Sequence, residues 1–78
     1  MVEKYELRIE ILKKLEEKCN PGELRILKGL YEDQDEMLAR LIGWLTDLGK
    51  ENPEYELDKL NFLLHISPQL IRELSTLI

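Results

Sequence analysis

Every proline in this 78-residue chain directly follows a residue that caps helices well: Asn20-Pro21, Asn52-Pro53 and Ser67-Pro68. A side-chain oxygen of Asn or Ser accepts a hydrogen bond from a free amide of the first helical turn. Proline suits the next position because its missing N–H has no helical partner there. The three pairs therefore mark three helix starts, and no alternating strand pattern, internal repeat or low-complexity tract lies between them. A chain of this length has room for one core. The expected fold is all-α, a compact orthogonal or up-down bundle of about five short helices making a single helical domain over residues 1–78.

The apolar spacing fills in the helices. Val2, Tyr5, Ile9, Leu12, Leu15 and Cys19 recur at three- and four-residue steps, predicting a first helix over about 2–19 with that stripe toward the core. Leu7 and Ile11 fall beside the stripe and widen the apolar arc, so this helix touches two neighbours or leaves Leu7 and Ile11 as an interaction edge. Asn20 opens the second helix, with Glu23 placed to complete a capping box and Leu24, Leu27, Leu30 and Tyr31 on one face. The acidic run Glu32-Asp33-Gln34-Asp35-Glu36 supplies a proline-free start, with Asp33 or Asp35 as the cap and carboxylates at the positive end of the next helix dipole. That third helix, about 35–48, is the most apolar (Met37, Leu38, Leu41, Ile42, Trp44, Leu45, Leu48) and is expected at the centre, closed by Gly49. Ala39 and Gly43 make a small-residue strip on its other side. A fourth helix, from Pro53 to about His65, carries a Leu57, Leu60, Leu64 stripe with Leu63 beside it and Tyr55 and Phe62 on another side. Two buried faces are implied. Leu70, Ile71, Leu74, Leu77 and Ile78 share one face of the last helix.

With 44% hydrophobic and 35% charged residues, the chain is too apolar to remain disordered. No apolar run reaches the roughly 18–20 residues of a membrane span, and the first residues do not read as a signal peptide, so a cytoplasmic protein is expected. The net charge of -5 is uneven: residues 1–30 hold seven Lys/Arg against six Asp/Glu, whereas residues 31–50 and 51–78 each hold two against five. An acidic second half disfavours nucleic acid and anionic lipid and suits a basic partner. Chemistry has few handles. His65 is the single histidine, the lone Cys19 sits on an apolar side, and no glycine-rich phosphate loop occurs. The acidic run is not a calcium loop, since Leu38 stands where that loop requires glycine. No enzyme activity, cofactor or metal is expected.

Two resemblances follow. Residues 60–74 resemble a helix-turn-helix in the spacing of Leu60, Leu64, Ile66, Ile71 and Leu74, with Asn61 where that motif prefers a small residue and His65 where it prefers glycine. Over the whole chain, Glu23-Leu24-Arg25-Ile26-Leu27-Lys28-Gly29-Leu30, together with Leu60-Asn61-Phe62-Leu63-Leu64, Ile66 and Leu70-Ile71-Arg72-Glu73-Leu74, is similar to the death fold, especially a death effector domain. Ser67-Pro68-Gln69-Leu70 replaces that family's Arg-x-Asp-Leu signature. The second resemblance implies an adaptor that associates with like domains through charged patches; the first implies a DNA-binding regulator.

The expected function is a protein-protein interaction module: an adaptor, regulator or inhibitor that binds a partner protein or itself. The alternatives are the helix-turn-helix regulator and an acidic inhibitor that imitates nucleic acid. Candidate binding residues are Leu7 and Ile11, the acidic corner Glu32, Asp33, Asp35 and Glu36, and the acidic start of the fourth helix, Glu51, Glu54, Glu56 and Asp58.

Overall fold

Four helical starts are capped at the expected places, with Asp33 rather than Asp35 at the proline-free one. In the computed structural model, which describes residues 4–48 and 50–78 and side chains from Glu6 onward, Asn20 accepts from the Gly22 amide at 2.9 Å and Asp33 from the Glu36 amide at 2.7 Å. Asn52 accepts from the Glu54 amide at 3.1 Å and Ser67 from the Leu70 amide at 3.2 Å. Among the described residues there are five α-helices and no strand: α1 (Lys4–Lys18), α2 (Pro21–Gly29), α3 (Gln34–Thr46), α4 (Glu56–His65) and α5 (Pro68–Ser75). The turn that Asn52 caps is a separate 3-10 turn, Pro53–Tyr55, so α4 begins one turn later than the proline suggests. The acidic run closes on itself: the Glu36 carboxylate accepts from the Glu32 amide at 2.9 Å, beside the Asp33 cap. Asp33→Ala should cost about 0.5–2 kcal/mol, read as a lower urea midpoint, with a smaller loss for Asp35→Ala, which caps nothing.

The bundle measures 29 × 27 × 25 Å. Helices of this length give nearly equal axes by crossing one another rather than lining up, and α3 touches α1, α2, α4, α5 and the 3-10 turn. Its Met37, Leu38, Leu41, Trp44 and Leu45 are buried, as expected of the central helix. It ends at Thr46 rather than Leu48, which is exposed; the expected cap at Gly49 lies outside the described residues. The Ala39–Gly43 strip receives a side chain instead of a helix: a Cβ on Gly43 would lie 2.5 Å from the Tyr55 phenol oxygen, while Ala39 is exposed.

Two rotations differ from expectation. In α1 the core face is Ile11, Leu15 and Cys19, with Leu7 and Leu12 packed against it and Ile9 exposed. Because α1 meets α2, α3 and α5, its neighbours cover the Leu7 side of the broad apolar arc. Ile11 is fully buried and forms no interaction edge. Val2 and the Tyr5 side chain lie outside the described residues. The second rotation, in α4, turns the Leu57, Leu60, Leu64 stripe outward. In α5 the expected face holds through Leu70, Ile71 and Leu74, while Ile78, beyond the helix end, is exposed. Lys18 at the end of α1 donates to both carboxylate oxygens of Glu73, at 2.9 and 2.8 Å, which fastens α1 to α5 and holds the Glu73 carboxyl below its ordinary range. Among the described residues no helix is long and apolar enough to cross a membrane.

Candidate interaction surface

The inward side of α4 is mostly polar. Phe62 is its fully buried apolar residue; beside it lie Asp58, which is 6% exposed, and the half-buried Asn61 and His65. A carboxylate is costly to bury unless it is hydrogen-bonded or paired, and Asp58 is both. The Tyr31 hydroxyl donates to its Oδ1 at 2.9 Å, and Arg40 Nη1 stands 3.8 Å from its Oδ2. The arginine acts by attraction only, because Oδ2 accepts no hydrogen bond. Burial pushes the Tyr31 phenol up to about 12, with the neighbouring Asn61 amide opposing and Asp58 adding to the rise. One turn from the other end, His65 Nδ1 pairs with the Glu23 carboxylate. Glu23 is thus drawn to α4 instead of completing the expected capping box.

These two ties set the arrangement of the helices. Glu23, in the first turn of α2, meets the last residue of α4, and Tyr31, just beyond α2, meets the first turn of α4. The helices lie side by side and antiparallel. With Asp58, Phe62 and His65 inward, a rotation of about 100° per residue carries Leu57, Leu60 and Leu64 to the outer surface on the side adjoining α2. They are 68%, 55% and 74% exposed, and Leu63 is 43% exposed on the far flank. On α2, Leu24 and Leu27 are buried, so Ile26 and Leu30, one turn apart and both more than half exposed, lie outward on the side toward α4. Isolated exposed leucines are ordinary. Ile26, Leu30, Leu57, Leu60 and Leu64 put five large aliphatic side chains on the exposed surface of two adjacent helices. Full burial of one leucine stabilises by about 1.5–3 kcal/mol, so covering the three α4 leucines contributes on the order of 3–6 kcal/mol before the costs of association.

The expected acidic residues divide. Glu51, Glu54 and Glu56 are exposed around the start of α4, with Glu56 one turn before Leu60 on the same outer surface. Glu32 is brought to that end by the Tyr31–Asp58 bond. Asp33 and Asp35 are exposed, but Asp33 is committed to the cap, and the half-buried Glu36 folds back to close it. Asp58 is inside and takes no part in a surface patch, because its own helix turns it toward Tyr31. Leu7 is half-buried against the core.

Cys19 is a buried free thiol whose Sγ donates to the His65 carbonyl at 3.4 Å; burial first, then Glu23, pushes it up, away from the reactive thiolate. Among the described residues no group of three or more His, Cys, Asp or Glu is placed to hold a metal ion. No protein-family model, curated protein or solved structure matches the chain. The exposed stripe of α4 is one whose leucines sequence periodicity assigns to the core. A signal was nevertheless present, since the segment from Pro53 to His65 carries the Leu57, Leu60, Leu64 stripe with Leu63 beside it and Tyr55 and Phe62 on another side, more apolar breadth than one core contact absorbs.

Proposed function

We propose that this chain is a non-enzymatic protein-protein interaction module that binds a partner protein through the leucine face of α2 and α4. The observation that carries this reading is the outward placement of Leu57, Leu60 and Leu64 on a helix that turns Asp58 and His65 inward to Tyr31 and Glu23. A surface of this kind suits an amphipathic helix, whose own apolar stripe packs on the exposed leucines. The helix-turn-helix alternative is less favoured, because Leu60 and Leu64 point to solvent and Arg72 is the one cation among the exposed residues of α5. An acidic nucleic-acid mimic would use the carboxylates and leave the leucines idle.

Leu60→Glu/Leu64→Glu separates these readings. Both side chains are largely in water, so the double variant should keep its thermal midpoint, within the roughly 0.5 kcal/mol typical of surface changes. Proteins that wild type captures from its native host should be lost with the variant. Capture unchanged by the double substitution, but abolished by charge reversal at Glu51, Glu54 and Glu56, would transfer the function to the acidic surface. A DNA complex at low salt weakened by Arg72→Ala would restore the helix-turn-helix reading.

A further inference from the structure

We infer that the occupant of the α2/α4 face is a cationic amphipathic helix, oriented with its Lys/Arg-rich end over the start of α4. This rests on the reading of the face as a docking surface and adds the chemistry of the partner. The apolar face has one acidic end, where Glu32, Glu51, Glu54 and Glu56 stand exposed around the start of α4. At the opposite end, the Glu23 carboxylate is already turned to His65 Nδ1. The basic residues of α2 do not offset the acidic end: Arg25 and Lys28 line a groove on the other side of that helix, with Glu16 of α1. Lys50 and Lys59 line one groove with Glu51 and Glu56 on the flank away from α2, so at this end four exposed carboxylates face two exposed cations and the balance stays acidic. A partner helix therefore finds apolar contacts along its length and negative potential at one end only, which fixes its direction as well as its charge.

The same asymmetry argues against other occupants. A second copy of the chain brings its own net charge of -5 and an identical acidic rim to the contact. An anionic bilayer is repelled by that rim. Among apolar-faced partners, a basic helix is the one that both the leucines and the carboxylates accept.

The test uses three synthetic helices of about 16 residues that share one leucine stripe and differ only in their flanks, which are Lys, Gln or Glu. Each is labelled and titrated with the full chain while its anisotropy is followed. The Lys-flanked helix should bind about tenfold more tightly than the Gln-flanked one, and the Glu-flanked helix more weakly than either. The advantage should shrink between about 50 and 500 mM NaCl, as screening shortens the reach of the rim charges. In Glu51→Lys/Glu54→Lys/Glu56→Lys, folded by circular dichroism, the order of Lys and Glu helices should reverse. Equal binding of all three overturns the inference and leaves the docking surface standing. Failure of every helix, with wild type shifting to dimers in sedimentation or binding phosphatidylserine vesicles, overturns the inference and replaces the partner. Failure of every helix with neither behaviour overturns the docking surface itself.

Discussion

Replacing Phe62 with alanine should lower the thermal midpoint by roughly 15–30 °C. Phe62 is fully buried, with Tyr31 and Trp44 stacked near it, each with ring centroids 5.8 Å from its own and planes within 14° and 4°. Truncating a buried phenylalanine costs about 3–5 kcal/mol, part of it from the cavity left behind. A domain of this size holds only about 4–12 kcal/mol in total at ordinary stability per residue. The loss is amplified here because Phe62 is the one fully buried apolar side chain that α4 contributes. Leu57→Ala, on the same helix but facing water, should shift the midpoint by no more than a few degrees. Thermal circular dichroism of the two variants decides; a Phe62→Ala protein within about 5 °C of wild type would remove Phe62 from the centre of the fold.

The second large effect concerns the carboxylate behind that ring. Tyr31→Phe preserves the ring and deletes the donor to Asp58, leaving a buried charge with no hydrogen bond and only the distant Arg40. The expected cost at neutral pH is about 1.5–3 kcal/mol, the range for hydrogen bonds to charged groups. Tyr31→Phe/Asp58→Leu should recover part of it, because removing both polar partners leaves nothing unsatisfied. The sign of the pH dependence follows from the phenol. Its folded value, about 12, lies above the ordinary 10.0. The protonated phenol is therefore favoured by folding, and its contribution is complete below pH 10 and is lost as pH rises toward 12. Wild type should consequently lose its advantage over Tyr31→Phe across that alkaline window. Urea midpoints of both proteins at neutral pH and at successive alkaline values measure the gap; a gap independent of pH would separate Tyr31 ionisation from stability.

These expectations depend on a rotation that the sequence does not encode locally. Helix starts were readable because each depends on a few adjacent atoms: Asn20, Asp33, Asn52 and Ser67 each reach an amide two or three residues ahead. The central place of α3 was readable too, since its apolar surface is too broad to face water. Periodicity, however, groups residues onto a face without saying which face turns inward. In α4 the leucine stripe satisfied the pattern of a core helix. The outcome was set instead by Phe62, by Tyr31 at 27 residues from Asp58 and by Glu23 at 42 residues from His65. Ile11 and Ile9 in α1 show the same ambiguity, resolved by three neighbouring helices. The acidic candidates were partly legible: Glu51, Glu54 and Glu56 do reach the surface, whereas Asp58, two residues further on, crosses to the inside.

The stack of rings behind α4 gives the chain its own optical gauge. Trp44 is its single tryptophan, buried on α3 and face to face with Phe62. Its emission therefore senses the seating of α4. A ligand that lies on the outer leucines leaves the indole buried against Phe62 and the spectrum in place. One that prises α4 from the bundle lets water reach the indole and moves the emission to the red, so an unlabelled protein can distinguish docking from displacement.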